Sequence, residues 1–113
     1  MAESQLRKGA LELIVLGTLE KQSAYGGALV ARMNHEAGLE VSSGTLYPLL
    51  SRLKKAKLLS TDWEESPSGP PRKIYHITPA GVARLQALYS EWEKLSAVVA
   101  WVQAPRRQSE GRE

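Results

Sequence analysis

The stretch VSSGTLYPLLSRLKKAKLL, Val41 to Leu59, carries Leu46, Leu49, Leu50 and Leu53 at the i, i+3, i+4, i+7 spacing of a single helix face. Its opening turns hold Ser42, Ser43, Gly44, Thr45 and Pro48, residue types that weaken a helix interior but suit a helix start. At such a start several backbone N–H groups lack partners, and the positive end of the helix dipole faces outward, toward an anion. With the leucines turned inward, Tyr47, Ser51, Lys54 and Lys55 point largely outward. Pro48 fits if the regular helix begins near Gly44 to Leu46, because a first-turn proline removes a donor that had no partner; a slight kink is the alternative. From Val41 to Thr61 the chain has Arg52, Lys54, Lys55 and Lys57 and no acid, whereas acids gather at Asp62, Glu64, Glu65, Glu91 and Glu93. A localised cationic surface is the electrostatic footprint of a nucleic-acid partner, although a solvated helix face carries the same charges.

Upstream, a helix is predicted from about Ser4 to Lys21. Leu6, Ala10, Leu13, Ile14 and Gly17 form one stripe and Leu11, Val15 and Thr18 another, so this helix must be covered on more than one side. A second helix follows, with Ser23 as N-cap candidate, Tyr25, Leu29 and Met33 on one face, and Gly38 just past its end. Gly26 and Gly27, so near its start, suggest a close approach by another helix or a ligand.

Downstream, LLSTDWEESPSGPPRKIYHIT alternates over Leu59, Thr61 and Trp63, and again over Lys73, Tyr75 and Ile77 against Arg72, Ile74 and His76. This predicts a two-stranded hairpin with a long, proline-rich, mobile tip and Trp63 in the core. Thr78 followed by Pro79 is a strong helix start, and the last helix runs to about Gln103. Along it Leu85, Leu88, Trp92, Leu95, Val99 and Val102 step by 3 and 4, a heptad seam, while Val82 and Tyr89 lie off the seam and can pack on the domain. A helix apolar on two sides needs two partners, so the seam is expected to pair with a second copy; folding back on the first helix is the alternative. Trp92 on that seam is the candidate wall of a pocket for a small aromatic or apolar effector, the alternative being a closed tryptophan core.

The whole chain has 113 residues, 42% apolar and 24% charged, with a net charge of +3 and no cysteine. That allows one modest domain plus an appendage and excludes disulfides, thiol nucleophiles and cysteine-held metals. The expected partition is a DNA-binding unit over 1–78, a dimerisation helix over 79–103 and a disordered tail over 104–113. No apolar run reaches the roughly 18 residues of a membrane span, so no membrane is expected, and a cytoplasmic location fits best. His35 and His76 sit on segments with no evident reason to meet, and no HExxH or phosphate-loop pattern occurs, so neither catalysis, metal nor cofactor is expected.

Three helices followed by a hairpin predict a mainly α fold with a small β-hairpin: a winged helix-turn-helix (α-α-α-β-β) with a long C-terminal dimerisation helix. In that fold the third helix enters the major groove and the hairpin flanks it. Ser42, Ser43 and Thr45 then offer short hydroxyls to phosphate, Tyr47 a hydroxyl or a ring against a sugar, and Ser51, Lys54 and Lys55 reach phosphates or base edges. Arg72 and Lys73 fall where a wing holds them over the neighbouring backbone. A winged helix that binds only protein is the rival reading, disfavoured because lysine is depleted in typical interface cores.

The segments LELIVLGTLEKQSAYGGALVARM, SSGTLYPLLSRLKKAKLL and PRKIYHITPAGVARL, together spanning about residues 6 to 103, resemble the PadR-like transcriptional regulators. The resemblance implies a winged-helix homodimer, usually a repressor, on double-stranded DNA carrying an inverted-repeat operator, in many members released by a small ligand. It adds Tyr25 and Gly26 to Ser43, Thr45, Tyr47, Arg72 and Lys73 as DNA-facing positions, and gives Thr78, Pro79 and Gly81 a structural role. Two departures stand out. Lys57 occupies the usual glycine position before LL, implying another C-cap or some strain, and Gly27 replaces a larger residue.

Overall fold

A computed structural model describes residues 4–106. Its elements are α1 (Gln5–Lys21), β1 (Ala24–Tyr25), α2 (Gly26–Ala31, continuing as a π-helical stretch Arg32–Glu36), α3 (Ser43–Lys55), β2 (Leu59–Ser66), β3 (Gly69–Ile77) and α4 (Pro79–Gln103). The expected tail lies largely outside the described residues, at 107–113.

Helix α1 is the strut. Leu11, Val15, Leu16 and Leu19 are buried against α2, α3 and the sheet, while Leu13 and Ile14 are half-buried toward α4. Leu6, at the far end of that second stripe, is exposed. Ser4 caps α1 by accepting from the Arg7 N–H, and the Arg32 guanidinium donates to the carbonyls of Gln22 and Thr18 at its other end. Arg84 of α4 bonds Glu12 of α1 at 2.9 Å, which fixes the crossing of these two helices and raises the guanidinium pKa further.

Helix α2 departs from expectation. Ser23 is not its N-cap, because Ala24 and Tyr25 pair with Tyr75 and Ile74 of β3, and the helix starts only at Gly26. Tyr25 therefore leaves the expected helix face. The sheet consequently has three strands, in the order β1-β3-β2. At the end of α2, Gly38 does adopt the left-handed conformation expected past a helix, φ 71°.

The hairpin also differs. Its turn is only Pro67–Ser68, with Ser66 paired to Gly69 and an irregularity beyond Glu64, so Gly69, Pro70 and Pro71 belong to β3 rather than to a long loop. Prolines cannot supply ladder N–H groups, and a bulge is where a strand tolerates them.

The α3 leucines face inward as predicted, all of them buried. Pro48 sits in the second turn, not the first, and is exposed. At the end of α3 the chain reverses through Lys57, whose φ of 66° is the left-handed value a glycine takes without cost. The Leu58 carbonyl then accepts from the Thr78 N–H at 3.1 Å, while the Thr78 hydroxyl donates to the Lys57 carbonyl at 2.8 Å and caps α4 at Gly81. Gly81 presses on the Leu58 carbonyl so closely that a methyl group there would collide with backbone.

Helix α4 begins on the domain and leaves it. Leu85 is 0% exposed, packed in the chain's own core, and Leu88 is half-buried beside it. The expectation that Leu85 belongs to an intermolecular seam is therefore corrected: it has no surface left to offer. From Trp92 outward, Leu95, Val98, Val99, Trp101 and Val102 are all exposed. The projection explains why the radius of gyration is 18.1 Å, against about 13 Å for a compact chain of this length.

Two substitutions test these joints. Lys57→Gly relieves the left-handed strain and is expected to stabilise the fold by roughly 0.5–1 kcal/mol. Gly81→Ala meets an unyielding carbonyl and is expected to cost about 3 kcal/mol. Urea unfolding followed by circular dichroism measures both.

Candidate nucleic-acid interface

The start of α3 is built by its own cap and by a neighbour. Ser42 is extended, φ −84° and ψ 154°; its hydroxyl oxygen accepts from the Thr45 N–H at 3.2 Å, and its hydroxyl donates to the Thr45 hydroxyl oxygen. Ser42 thus serves first as a cap, its donor committed, and the outward donors at this end are the hydroxyls of Ser43 and Thr45. The N–H groups of Ser43 and Gly44, ahead of the first helical bond, have no carbonyl within the helix to pair with. Asn34 holds the approach to this end: its side-chain carbonyl accepts from the Val41 N–H at 2.8 Å and its amide donates to the Val41 carbonyl at 3.4 Å. Sequence reading passed over Asn34, since an asparagine in a helical run carries no periodic signal.

Tyr47, Tyr25, Gly26 and Arg72 converge. Tyr47 is 43% exposed and its ring lies against Gly26, where any side chain would overlap it; this is the close approach the glycine pair suggested. Immediately before Gly26, the Tyr25 ring carries the Arg72 guanidinium 4.5 Å from its centroid, a cation–π contact that leaves the guanidinium exposed but oriented. Wing, α2 start and α3 are thereby joined in one chain of contacts. Behind them Tyr75 is buried, and that burial, with the Tyr47 hydroxyl nearby, pushes its own hydroxyl pKa above the usual value.

Lys73 is not brought to the same place. Successive strand residues face opposite ways, so Lys73 shares the other face of the hairpin with Trp63, 5.7 Å from its ring centroid. Trp63, expected in the core, is 67% exposed because the hairpin runs past the domain and the core ends at Leu59 and Tyr75. Ser51, Lys54 and Lys55 are exposed along α3, in the positions expected. The third helix bears no acid, and its basic residues lie in the last turn.

On the outer sheet face His76 joins the two sides of β3: Nδ1 lies 2.7 Å from the Ser23 hydroxyl and Nε2 lies 3.2 Å from an Asp62 carboxylate oxygen. These are the residue types of a hydrolytic triad, but the set is open to solvent and acts as a pin from Asp62 on β2 to the strand that begins after Ser23. Among the described residues there is no group of histidines and acids able to hold a metal ion, and no helix is long and apolar enough to cross a membrane.

Comparison with known proteins agrees with the winged-helix fold. The sequence profile of the transcriptional regulator PadR-like family matches residues 15–87. A PadR family transcriptional regulator from Eggerthella lenta superposes with a TM-score of 0.81 at 34% identity, over 90% of this chain and 88% of its own. A PadR-like transcriptional regulator from Bacillus cereus does so at 0.80 and 36%, over 90% of this chain and 100% of its own. A transcriptional regulator from Mycobacterium tuberculosis is 33% identical over 81 residues, 72% of this chain and 74% of that one. These relatives are regulators rather than enzymes. The winged helix, its capped third helix and the extent of these matches place the chain in the PadR-like family of DNA-binding transcriptional regulators.

Proposed function

We propose that the chain is a repressor that binds an inverted-repeat operator as a homodimer, with residues 1–78 as the DNA-binding unit and 79–103 as the dimerisation helix. The observation that carries the dimer is the apolar row on α4. Trp92, Leu95, Val99 and Val102 are more than half exposed, Trp92 and Leu95 flanked only on one side by α1. A contiguous apolar surface on a projecting helix is stabilised by a second copy of itself, and a two-fold pair presents two recognition helices to a two-fold symmetric site. Leu88 marks the inner end of the seam, Leu85 having been taken by the core.

Each copy then lays α3 in the major groove. The open N–H groups of Ser43 and Gly44 and the hydroxyls of Ser43, Thr45 and Tyr47 meet phosphate or sugar, Ser51, Lys54 and Lys55 meet phosphates or base edges, and Tyr25 holds Arg72 toward the neighbouring backbone. Lys73, steadied by Trp63, extends the wing's positive charge on its other face. Occupying the operator is itself sufficient to block it, which suits a surface divided between DNA and a second copy.

An effector site is supported by an open apolar groove of about 350 Å³ between α1 and α4, lined by Ala10, Leu13, Ile14, Leu88, Trp92 and Leu95 among others. A planar apolar molecule stacked on Trp92 there would bear directly on the α1–α4 crossing and so on the spacing of the two reading helices.

Three outcomes are expected. Tyr47→Ala and Arg72→Ala should each weaken operator binding by at least about 1 kcal/mol with the oligomeric state unchanged, measured by fluorescence anisotropy. Wild-type binding should fall steeply with salt; a flat response would point to a protein partner instead. Truncation before Trp92, which spares Leu85 and Leu88, should give a folded monomer by size-exclusion chromatography; a stable dimer would refute the seam.

A further inference from the structure

Of the residues assigned so far, only Thr45 lies on the flank of α3 that faces α1. At about 100° per residue, Leu46, Leu49, Leu50 and Leu53 centre its buried side, and Pro48, Ser51 and Lys55 lie outermost. Tyr47 and Lys54 fall on one flank, next to Gly26 and the wing. Thr45 and Arg52 fall on the opposite flank, next to α1. A groove of about 260 Å³ runs between those two helices, and its walls are Lys8 and Leu11 from α1 and Gly44, Thr45, Pro48, Leu49 and Arg52 from α3.

This groove has the chemistry of a phosphate seat. Its two charged groups are both cations, both exposed, and come from different helices. No carboxylate among the described residues holds either one, and Glu12, one turn beyond Lys8, is turned away to Arg84. The Thr45 hydroxyl, which accepts from Ser42, keeps its own proton to donate at the groove's end. The groove opens beside the recognition helix, not on the side of the wing. A major groove about 12 Å wide receiving a helix about 10–12 Å across brings both bordering phosphate strands against the helix flanks.

We infer that Lys8 and Arg52 form a second phosphate clamp, gripping the DNA strand across the major groove from the one addressed by Tyr25, Tyr47 and Arg72. This rests on the DNA-binding reading above and adds the partner strand and two residues to it. The contact is to backbone phosphate, so it strengthens binding to any sequence equally and orients α3 from both sides. Lys8 and Arg52 both line the groove, and Arg52 can offer a forked pair of donors to one phosphate.

Because phosphate contacts are blind to sequence, the test needs no operator. Full-length protein is titrated onto a fluorescein-labelled duplex of arbitrary sequence, about two helical turns long, over a series of potassium chloride concentrations. Lys8→Ala and Arg52→Ala should each lower the magnitude of the log K against log[salt] slope by about 0.9, and the double variant by about twice that. Lys8→Arg and Arg52→Lys should keep the wild-type slope, as should Lys94→Ala on the far part of α4. If wild type binds and the alanine variants keep its slope, the clamp is overturned while DNA binding stands. If wild type ignores duplex DNA even at low salt, both readings fall together.

Discussion

The carbonyl of Leu58 is the point on which the geometry turns. It accepts from the Thr78 N–H, closing the base of the hairpin where Leu59 faces Ile77, and it lies against Gly81 in the first turn of α4. One residue earlier the Lys57 carbonyl accepts from the Thr78 hydroxyl, while the Leu58 N–H returns to the Leu53 carbonyl at the end of α3. The end of α3, the base of the wing and the start of α4 therefore share a joint only a few ångströms across. The starting position of α4 is thereby set relative to the end of α3. A helix start with threonine, proline and glycine in that order is thus a mechanical requirement, each residue answering one contact: cap, fixed φ and absent side chain.

The proposed recognition surface is likewise assembled by contacts between elements distant in sequence. Arg72 is oriented by Tyr25, Tyr47 is seated by Gly26, and the turn into α3 is gripped by Asn34. Each side chain alone is long or rotatable, and holding it in advance reduces the entropy lost on meeting a polyanion. The charge-bearing groups stay exposed, while the groups that aim them are aromatic or amide. That division keeps the cations solvated when no ligand is present and avoids the cost of burying them.

Much of this was legible in the chain because it is written in local spacing. The leucines of α3, the Thr78–Pro79 start of α4 and the glycine past α2 each depend on residues within a few positions of one another, and each stands where expected. What escaped depends on distant partners. Strand β1 is two residues long and exists only through hydrogen bonds to β3 some fifty positions away, so it has no period of its own, and Ser23 reads as a cap without it. Leu85 falls in step with the heptad, and periodicity names the face of a helix but not what covers it. Alternation placed Trp63 on the core-facing side of its strand correctly; it could not say that the core ends before the strand does. The hairpin tip was misjudged because three prolines signal a loop, whereas a bulge lets two of them remain in the strand.

Those prolines have a further consequence. β1 covers β3 only opposite Ile74 and Tyr75, so the stretch from Gly69 to Lys73 juts beyond the domain with one edge bare, and β2 is itself an outer strand. A ribbon of that kind is a template on which a stray strand from another molecule can crystallise a ladder and seed aggregates. Pro70 and Pro71 have no amide hydrogen to contribute, and Arg72 and Lys73 beside them repel a copy carrying the same charges. The two prolines and the two adjacent cations thus give the bare edge its protection against neighbouring molecules.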